Sequence, residues 1–446
     1  MAEPPRVSVS HEVMGRGSAT AFHRLWRVKM LRHFWLASTV SNLGRSAFLM
    51  AICWLTVRLY GAHGIALLSL AYGVPQLLLQ LFAGAATDRL ARRQLYGLTE
   101  SLLLLIAILL WLSSIGGNPS LWLLVAVCLG NGVISAFDAP ARSALISEMV
   151  LQEDLVSAQQ IFSVAAQVAG IFGPALGGIL LSIGMRDHAN ESLAFLFYCC
   201  SYIPVLICLP LLPMVAPAEP LPRQRLQIQD VVRGVRRGLV YVGSKRSLTV
   251  LMRLLAVVML LGAPFQSLLP IYVHDSTTLA ADHRAYALLL SAVAFGGFVG
   301  ALLGVASAER RDRYKALAIA SLGLGCALLL FTTNRGIHWA LLSACLAGGF
   351  SIFAINLDTS LLLGLTPPQI QGRVASIATL GKGLHAVTAA AASEAIGQLS
   401  HTPLKIHAYS LIQGGLAIAL IVFTVQLWLP LRQLGWVQAS SPAPEV

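Results

Sequence analysis

The sequence predicts an all-α membrane protein, with twelve transmembrane helices in two six-helix bundles. Three observations predict it. First, 57% of the 446 residues are hydrophobic and only 11% are charged, less than half of the roughly 25% typical of a soluble domain. Second, apolar stretches of about 20 residues recur along the chain, each long enough to cross a hydrocarbon core of about 30 Å as a helix. Third, the longest polar interruption leaves six such stretches on each side. A β-barrel would show short alternating segments instead, and that pattern is absent.

The elements follow in order. Residues 1–33 are largely polar and predict a cytoplasmic N-terminal tail too long for the n-region of a cleavable signal peptide. Its Phe22-His23-Arg24-Leu25-Trp26-Arg27-Val28-Lys29 stretch reads equally as an interfacial lead-in helix or as positive-inside anchoring. Spans are expected near 34–57, 64–87, 94–115, 120–142, 155–184 and 192–214, which form an N-terminal bundle over 34–214. The segment 215–248 is expected to be a cytoplasmic linker, Pro-rich at first (Pro217, Pro220, Pro222) and then basic (Arg223, Arg225, Arg233, Arg236, Arg237, Lys245, Arg246). A second set near 249–273, 285–307, 314–333, 337–363, 374–399 and 407–430 forms the C-terminal bundle over 249–430, followed by a cytoplasmic tail, 431–446.

The formal net charge of +12 does not point to nucleic acid, because the cations sit in short loops between spans. With the N-terminus inside, most of them face the cytoplasm, as the positive-inside rule requires. An even number of spans then puts both termini there. All seven cysteines (Cys53, Cys128, Cys199, Cys200, Cys208, Cys326, Cys345) lie in apolar runs with no metal-ligand spacing, so they read as small hydrophobes. No phosphate loop or nucleophile arrangement appears either. The expectation is therefore no enzyme, no cofactor and no metal.

Two turns carry more. Gly84-Ala85-Ala86-Thr87-Asp88-Arg89-Leu90-Ala91-Arg92-Arg93 follows the second span, and Gly304-Val305-Ala306-Ser307-Ala308-Glu309-Arg310-Arg311-Asp312-Arg313 follows the eighth. The first resembles the G-x-x-x-D-R-x-G-R-R loop of the major facilitator superfamily, with Ala91 where the family usually has glycine. The second is a diverged copy that lacks the acid, at Ala308. Internal repeats of this kind are common in secondary transporters. Further runs narrow the resemblance: Asp138-Ala139-Pro140-Ala141-Arg142 through Glu148, Gly173-Pro174-Ala175-Leu176-Gly177-Gly178, and Gly372-Arg373-Val374-Ala375-Ser376. They are similar to the enterobactin-exporter-like and macrolide-efflux-like branch, also called transmembrane secretion effectors, over roughly residues 32–430. The resemblance implies the facilitator fold in a bacterial cytoplasmic (inner) membrane and alternating access between the bundles.

It also implies roles. Gly173, Pro174, Gly177 and Gly178 resemble the core of the fifth-helix signature of exporters, although Gln160 and Ala169 stand where the longer signature has glycines. Small residues permit close packing and the proline releases a backbone hydrogen bond, giving a pliable seam; an ordinary packing face is the plain alternative. The family's acid in the first turn latches the bundles in the outward-facing state. Gating is accordingly assigned to Gly84, Asp88, Arg89, Arg93 and Arg142, with Gly372 and Arg373 at the start of the eleventh span, whose helix N-terminus favours a carboxylate by about 0.3–1 kcal/mol.

Polar residues at helical spacing supply the cavity candidates. Asn131, Ser135, Asp138 and Arg142 share a face of the fourth span; Tyr72, Gln76 and Gln80 share one of the second, near Pro75; Asn42 and Arg45 share one of the first. Such stripes either line a cavity or hold helices together. Arg45 and Lys382 fall inside spans, where a cation costs about 2.5–3.5 kcal/mol. Lys382 with His385, three apart on the eleventh span, together with Arg45 suggest a cavity that holds an anion; an intramembrane salt bridge or snorkelling explains either cation alone. Asp138, Asp358 and Glu394, with His385, are the candidates for carrying a coupling proton, since burial disfavours a charged form.

The reading that results is a monomeric secondary exporter of a small molecule, exchanging it for protons across the lipid bilayer. A siderophore or similar anionic metabolite is the leading cargo. Multidrug or macrolide-like efflux is the alternative within transport, and a non-transporting receptor or scaffold the alternative outside it.

Overall fold

In the computed structural model, residues 29–87, 92–150, 154–186, 192–212, 228–276, 279, 282–306, 312–333, 336–400, 402 and 408–440 are described. Every regular element among them is a helix. The first half comprises α1 (Lys29–Thr87), α2 (Arg92–Ile115), α3 (Leu121–Met149), α4 (Leu155–Arg186) and α5 (Ser192–Cys208), the last closed by a 3-10 turn. The second comprises α6 (Ile228–Ser244), α7 (Arg246–Val257), α8 (Pro264–Asp275), α9 (His283–Ala306), α10 (Arg313–Thr332), α11 (Ile337–Gly364), α12 (Pro368–Leu399) and α13 (Ala408–Ser440).

The 59 residues of α1 would measure about 90 Å as one straight rod, far more than a bilayer's hydrocarbon core. Gly61 breaks the rod. Its φ of 62° and ψ of −155° lie in a region open essentially to glycine alone. The chain turns back there: a Cβ on Gly64 would lie 2.7 Å from Thr56 Cγ2, a contact impossible eight residues along a continuous helix. The legs 29–60 and 62–87 are thus the first two expected spans.

Ten segments among the described residues are long and apolar enough to cross a membrane. The first of them, Lys29–Gln80, takes in the first leg and most of the second, and Pro368–Leu399 is not among the ten. Counting the legs separately makes eleven among the described residues, and the expected count of twelve is reached only by including α12, which is less apolar. The seventh span is α7 and α8 joined by a π-turn at Val258–Gly262. Pro264 follows at the head of α8, where its missing N–H and ring displace the regular ladder. The region expected as a linker carries α6, a strongly amphipathic helix that packs on α7 and α12.

Within each half, the second span lies against the fourth through glycine. Gly132 of α3 meets the backbone of Tyr72, while Gly296 and Gly300 of α9 meet the backbones of Cys345 and Gly349 on α11. Without side chains there, the helices approach to backbone contact. The halves are joined chiefly by α1 on α12 and α4 on α9.

Candidate functional site

The stripes on the first and fourth spans face one another. Arg45 sits midway along the 29–60 leg, and its Nη1 donates to Asp138 Oδ2 of α3 at 3.1 Å. One turn away, Arg142 Nη1 donates to Asn42 Oδ1 at 3.4 Å. Spacings of three on α1 and four on α3 put both members of each stripe on one face, and the antiparallel helices bring the stripes into register. Asp138 is 1% exposed and Arg45 20%. Arg45 therefore has a partner within its own bundle, the salt-bridge alternative left open by the sequence.

That pair is only half satisfied. Arg45 Nε and Asp138 Oδ1 are buried without a hydrogen-bond partner among the described residues. A third charged group adjoins them: Glu100 of α2 is 1% exposed, and its Oε2 accepts from Ser41 Oγ at 3.3 Å. Glu100 is not among the residues that the polar stripes single out. Its signal was present, since any ionisable residue inside an apolar span is a site candidate by default.

The other polar residues fall into different environments. Asn131 is consumed in packing: its Nδ2 donates to Val127 O at 3.0 Å and its Oδ1 accepts from Tyr198 Oη at 2.9 Å. Ser135, Tyr72, Gln76 and Gln80 are half-buried. Asp358 of α11 is 1% exposed, and neither carboxyl oxygen meets a hydrogen-bond partner among the described residues. His385 is half-buried on α12.

The basic turn residues tie the first bundle together. Arg93 Nη1 donates to Leu212 O at 2.9 Å, binding the start of α2 to the end of α5. Arg92 donates to Ala144 O and Ser147 Oγ, and lies 3.4 Å from Glu148. Asp88 and Arg89 lie outside the described residues, as do the side chains of Arg373 and Lys382 and the surroundings of Gly84 and Gly372.

The bundles meet at the end marked by Gly61. His63 Nδ1 approaches Glu394 Oε2 of α12 at 2.8 Å. Across the α4–α9 seam, Ser182 Oγ lies 2.9 Å from His283 Nε2 and accepts from Arg284 Nε at 3.0 Å. Trp54 stacks on Tyr286 with centroids 5.9 Å apart.

The glycines of the fifth-span motif divide between two tasks. Gly173 lies against Leu43 and Ser46, and Gly177 against Ala47, all on the 29–60 leg of the same bundle. Gly178 instead faces the other bundle, where a Cβ would stand 2.7 Å from Ala287 Cβ.

Residues 19–443 match the family described as transmembrane secretion effector. The chain is 27% identical over 185 residues to the staphyloferrin A transporter of Staphylococcus aureus (strain NCTC 8325 / PS 47), covering 41% of this chain and 45% of that one. That alignment thus spans under half of the relative's length. It is 25% identical over 357 residues to the multidrug efflux pump Tap of Mycolicibacterium fortuitum, covering 76% of this chain and 82% of that one. Among solved structures it is similar to the nucleoside transporter NupG, with a TM-score of 0.70 at 12% identity over 91% of this chain and all of that one. A bacterial homolog of the human lysosomal transporter Spinster, in an inward-facing and unoccupied conformation, gives a TM-score of 0.69 at 16% identity, covering 94% of this chain and 99% of that one. At these identities the structural likeness concerns the fold.

Proposed function

The chain belongs to the transmembrane secretion effector family of major facilitator transporters, and from that premise we propose that it is a secondary exporter of a small molecule, driven by exchange with protons. The observation that carries the reading is the Arg45–Asp138 ion pair with Glu100 beside it. Charges buried in apolar spans are costly, and this cluster joins three helices without satisfying all of its own atoms. A proton on Asp138 would dissolve the ion pair and loosen α1 from α3, which makes Asp138 the preferred coupling acid. Asp358 and Glu394 are second to it, because Glu394 is half-exposed and already paired with His63.

The pair also constrains the cargo. Arg45 becomes free for an anion only when Asp138 is protonated, so an anion held by Arg45 would travel with the proton. Exchange therefore places an anionic cargo on Lys382 and His385 of α12, with Arg45 acting through Asp138. A siderophore-like carboxylate or catecholate fits that reading, and the staphyloferrin A relative supports it. The multidrug relative supports the second reading, efflux of neutral or cationic drugs, for which a neutral Arg45–Asp138 pair is no obstacle.

With the termini in the cytoplasm, contact at the Gly61 end is an inward-facing arrangement. Asp88, Arg89 and the start of α12 at Gly372 and Arg373 would then form the opposite gate, engaged when the cycle turns outward. Arg142, bonded to Asn42 here, joins that gate by exchanging partners, while Arg93 holds α2 to α5. The protein acts as a monomer in the bacterial inner membrane.

The deciding experiment is flux in proteoliposomes under an imposed pH gradient, with an iron-free siderophore and a cationic drug as alternative cargoes. Exchange predicts that an opposing proton gradient accelerates cargo movement, and that Asp138→Asn abolishes the acceleration. Proton and cargo moving in the same direction would overturn exchange. Absence of any flux, with normal cellular function for Asp88→Asn, would instead favour the scaffold.

A further inference from the structure

The cluster around Arg45 holds one more carboxylate than the ion pair uses. Arg45 meets Asp138 through a single contact, Nη1 to Oδ2 at 3.1 Å, although a guanidinium has donors on all three nitrogens. Arg45 Nε and Asp138 Oδ1 are buried without a hydrogen-bond partner among the described residues. Glu100 of α2 is buried as deeply as Asp138, each being 1% exposed. Its Oε2 accepts from the neutral hydroxyl of Ser41 at 3.3 Å, and Tyr96 faces the same carboxyl from one turn earlier on α2. Neither neighbour carries the opposite charge that a buried carboxylate requires.

A cation for Glu100 lies within reach. Ser41 and Arg45 are four residues apart on α1, on one face and about 6 Å apart along the axis. The Glu100 carboxyl at Ser41 is therefore about one turn from the root of the Arg45 side chain, and both Glu100 and Asp138 act electrostatically on Arg45. The rest of the surroundings are committed. Arg142 of α3 also bears on Glu100, but its Nη1 donates to Asn42. On α5, Tyr202 Oη donates to Tyr198 Oη at 2.7 Å, which donates to Asn131 Oδ1 at 2.9 Å. Asp138 and Glu100 thus face two guanidiniums, those of Arg45 and Arg142. A proton on Asp138 leaves one carboxylate in the cluster; without Glu100 it would leave none.

We propose that Glu100 is the alternate counter-ion of Arg45: when Asp138 takes a proton, the guanidinium passes to Glu100, and it returns when the proton leaves. The only bond made or broken is the O–H of Asp138. Arg45 then keeps a buried partner in both states, and its tie moves from α3 to α2, which turns a protonation into a change of helix contact. Glu100 acts through Arg45 and is a positioning residue. The proposal rests on Asp138 as the coupling acid, and supplies the reason that Asp138 can lose its charge without stranding Arg45.

Thermal unfolding of the purified full-length protein in detergent tests the exchange of partners without reference to transport. Asp138→Asn and Glu100→Gln each leave Arg45 one carboxylate, so each should lower Tm modestly. Together they leave it none, and the double variant should lose more than the sum of the two single losses. Adding Arg45→Gln to the double should raise its Tm, or restore folding where the double does not fold. Additive losses, or a double that Arg45→Gln does not improve, would overturn the proposal. Proteoliposome flux, with whichever of the two cargoes above the wild type moves, gives a second readout. In Glu100→Gln the pH of half-maximal exchange should fall by about one unit, the size of one neighbouring carboxylate's effect, whereas Glu100→Asp should keep it. An unchanged profile in Glu100→Gln would also overturn the proposal. A wild type that exchanges no protons would overturn the exchange reading instead, while the thermal result still decides whether Glu100 can replace Asp138.

Discussion

Gly178 offers the sharpest test of how the bundles move. It lies on α4 where that helix meets α9, and a Cβ there would stand 2.7 Å from Ala287 Cβ, well inside the 3.4 Å at which ordinary contact begins. Both atoms are rooted close to their backbones, so neither can rotate away. Gly178→Ala therefore forces α4 and α9 apart, at an overpacking cost of about 1–3 kcal/mol. That cost falls only on the arrangement closed at the Gly61 end. The equilibrium should then shift toward the opened arrangement by a factor of about 5 to 150. Spin labels at Gly116→Cys and Gln398→Cys, exposed positions near that end of the two bundles, would report the shift as a longer distance by pulsed electron resonance. Gly177→Ala is the matched control: its Cβ would meet Ala47 O at 3.0 Å within one bundle, so it should lower thermal stability without moving the labels. Adding Ala287→Gly to Gly178→Ala should restore the short distance. An unchanged distance in Gly178→Ala, the same change in Gly177→Ala, or no rescue by Ala287→Gly would refute the reasoning.

Other outcomes follow from the same geometry. Arg45→Gln strands a buried Asp138 and should cost about 3–5 kcal/mol, read as a lower Tm in detergent; the double variant with Asp138→Asn should recover most of it. Asp358→Leu removes a buried carboxyl that makes no hydrogen bond among the described residues, so thermal unfolding should show equal or greater stability, by up to about 1–3 kcal/mol. A loss there would mean that Asp358 has a structural partner. His63→Ala breaks an exposed pair with Glu394 worth at most about 1 kcal/mol, and should move the Gly116–Gln398 distance much less than Gly178→Ala.

Much of the architecture was legible because its causes are local. Length and hydropathy decide whether a segment can span a bilayer, and a cation such as Arg45 announces itself by its cost inside one. Stripes at spacings of three and four also identified Asn42, Arg45, Asp138 and Arg142 as face-sharing residues before any partner was known. The bend at Gly61 was less legible, since a glycine between two apolar runs does not by itself reveal its positive-φ backbone; α6 lies hidden in a Pro-rich and basic interruption whose composition reads as linker.

Partners were a different matter. The polarity of Arg45 and Asp138 said that each needed compensation, and only the antiparallel packing of α1 on α3 decided that they compensate one another. Asn131 shares its stripe with Asp138, yet its rotation toward Tyr198 commits it to packing. Glu100 entered the cluster from α2, a different helix from those of Arg45 and Asp138, and Gly178 was separated from its neighbour Gly177 by which bundle each one faces. The sequence by itself determined that this chain spans a membrane many times, repeats itself, and carries charges where apolar residues would serve a mere anchor. The tertiary structure decided which charges meet and which end of the molecule is closed, because a helix's pattern specifies its faces but not the helix that will cover them.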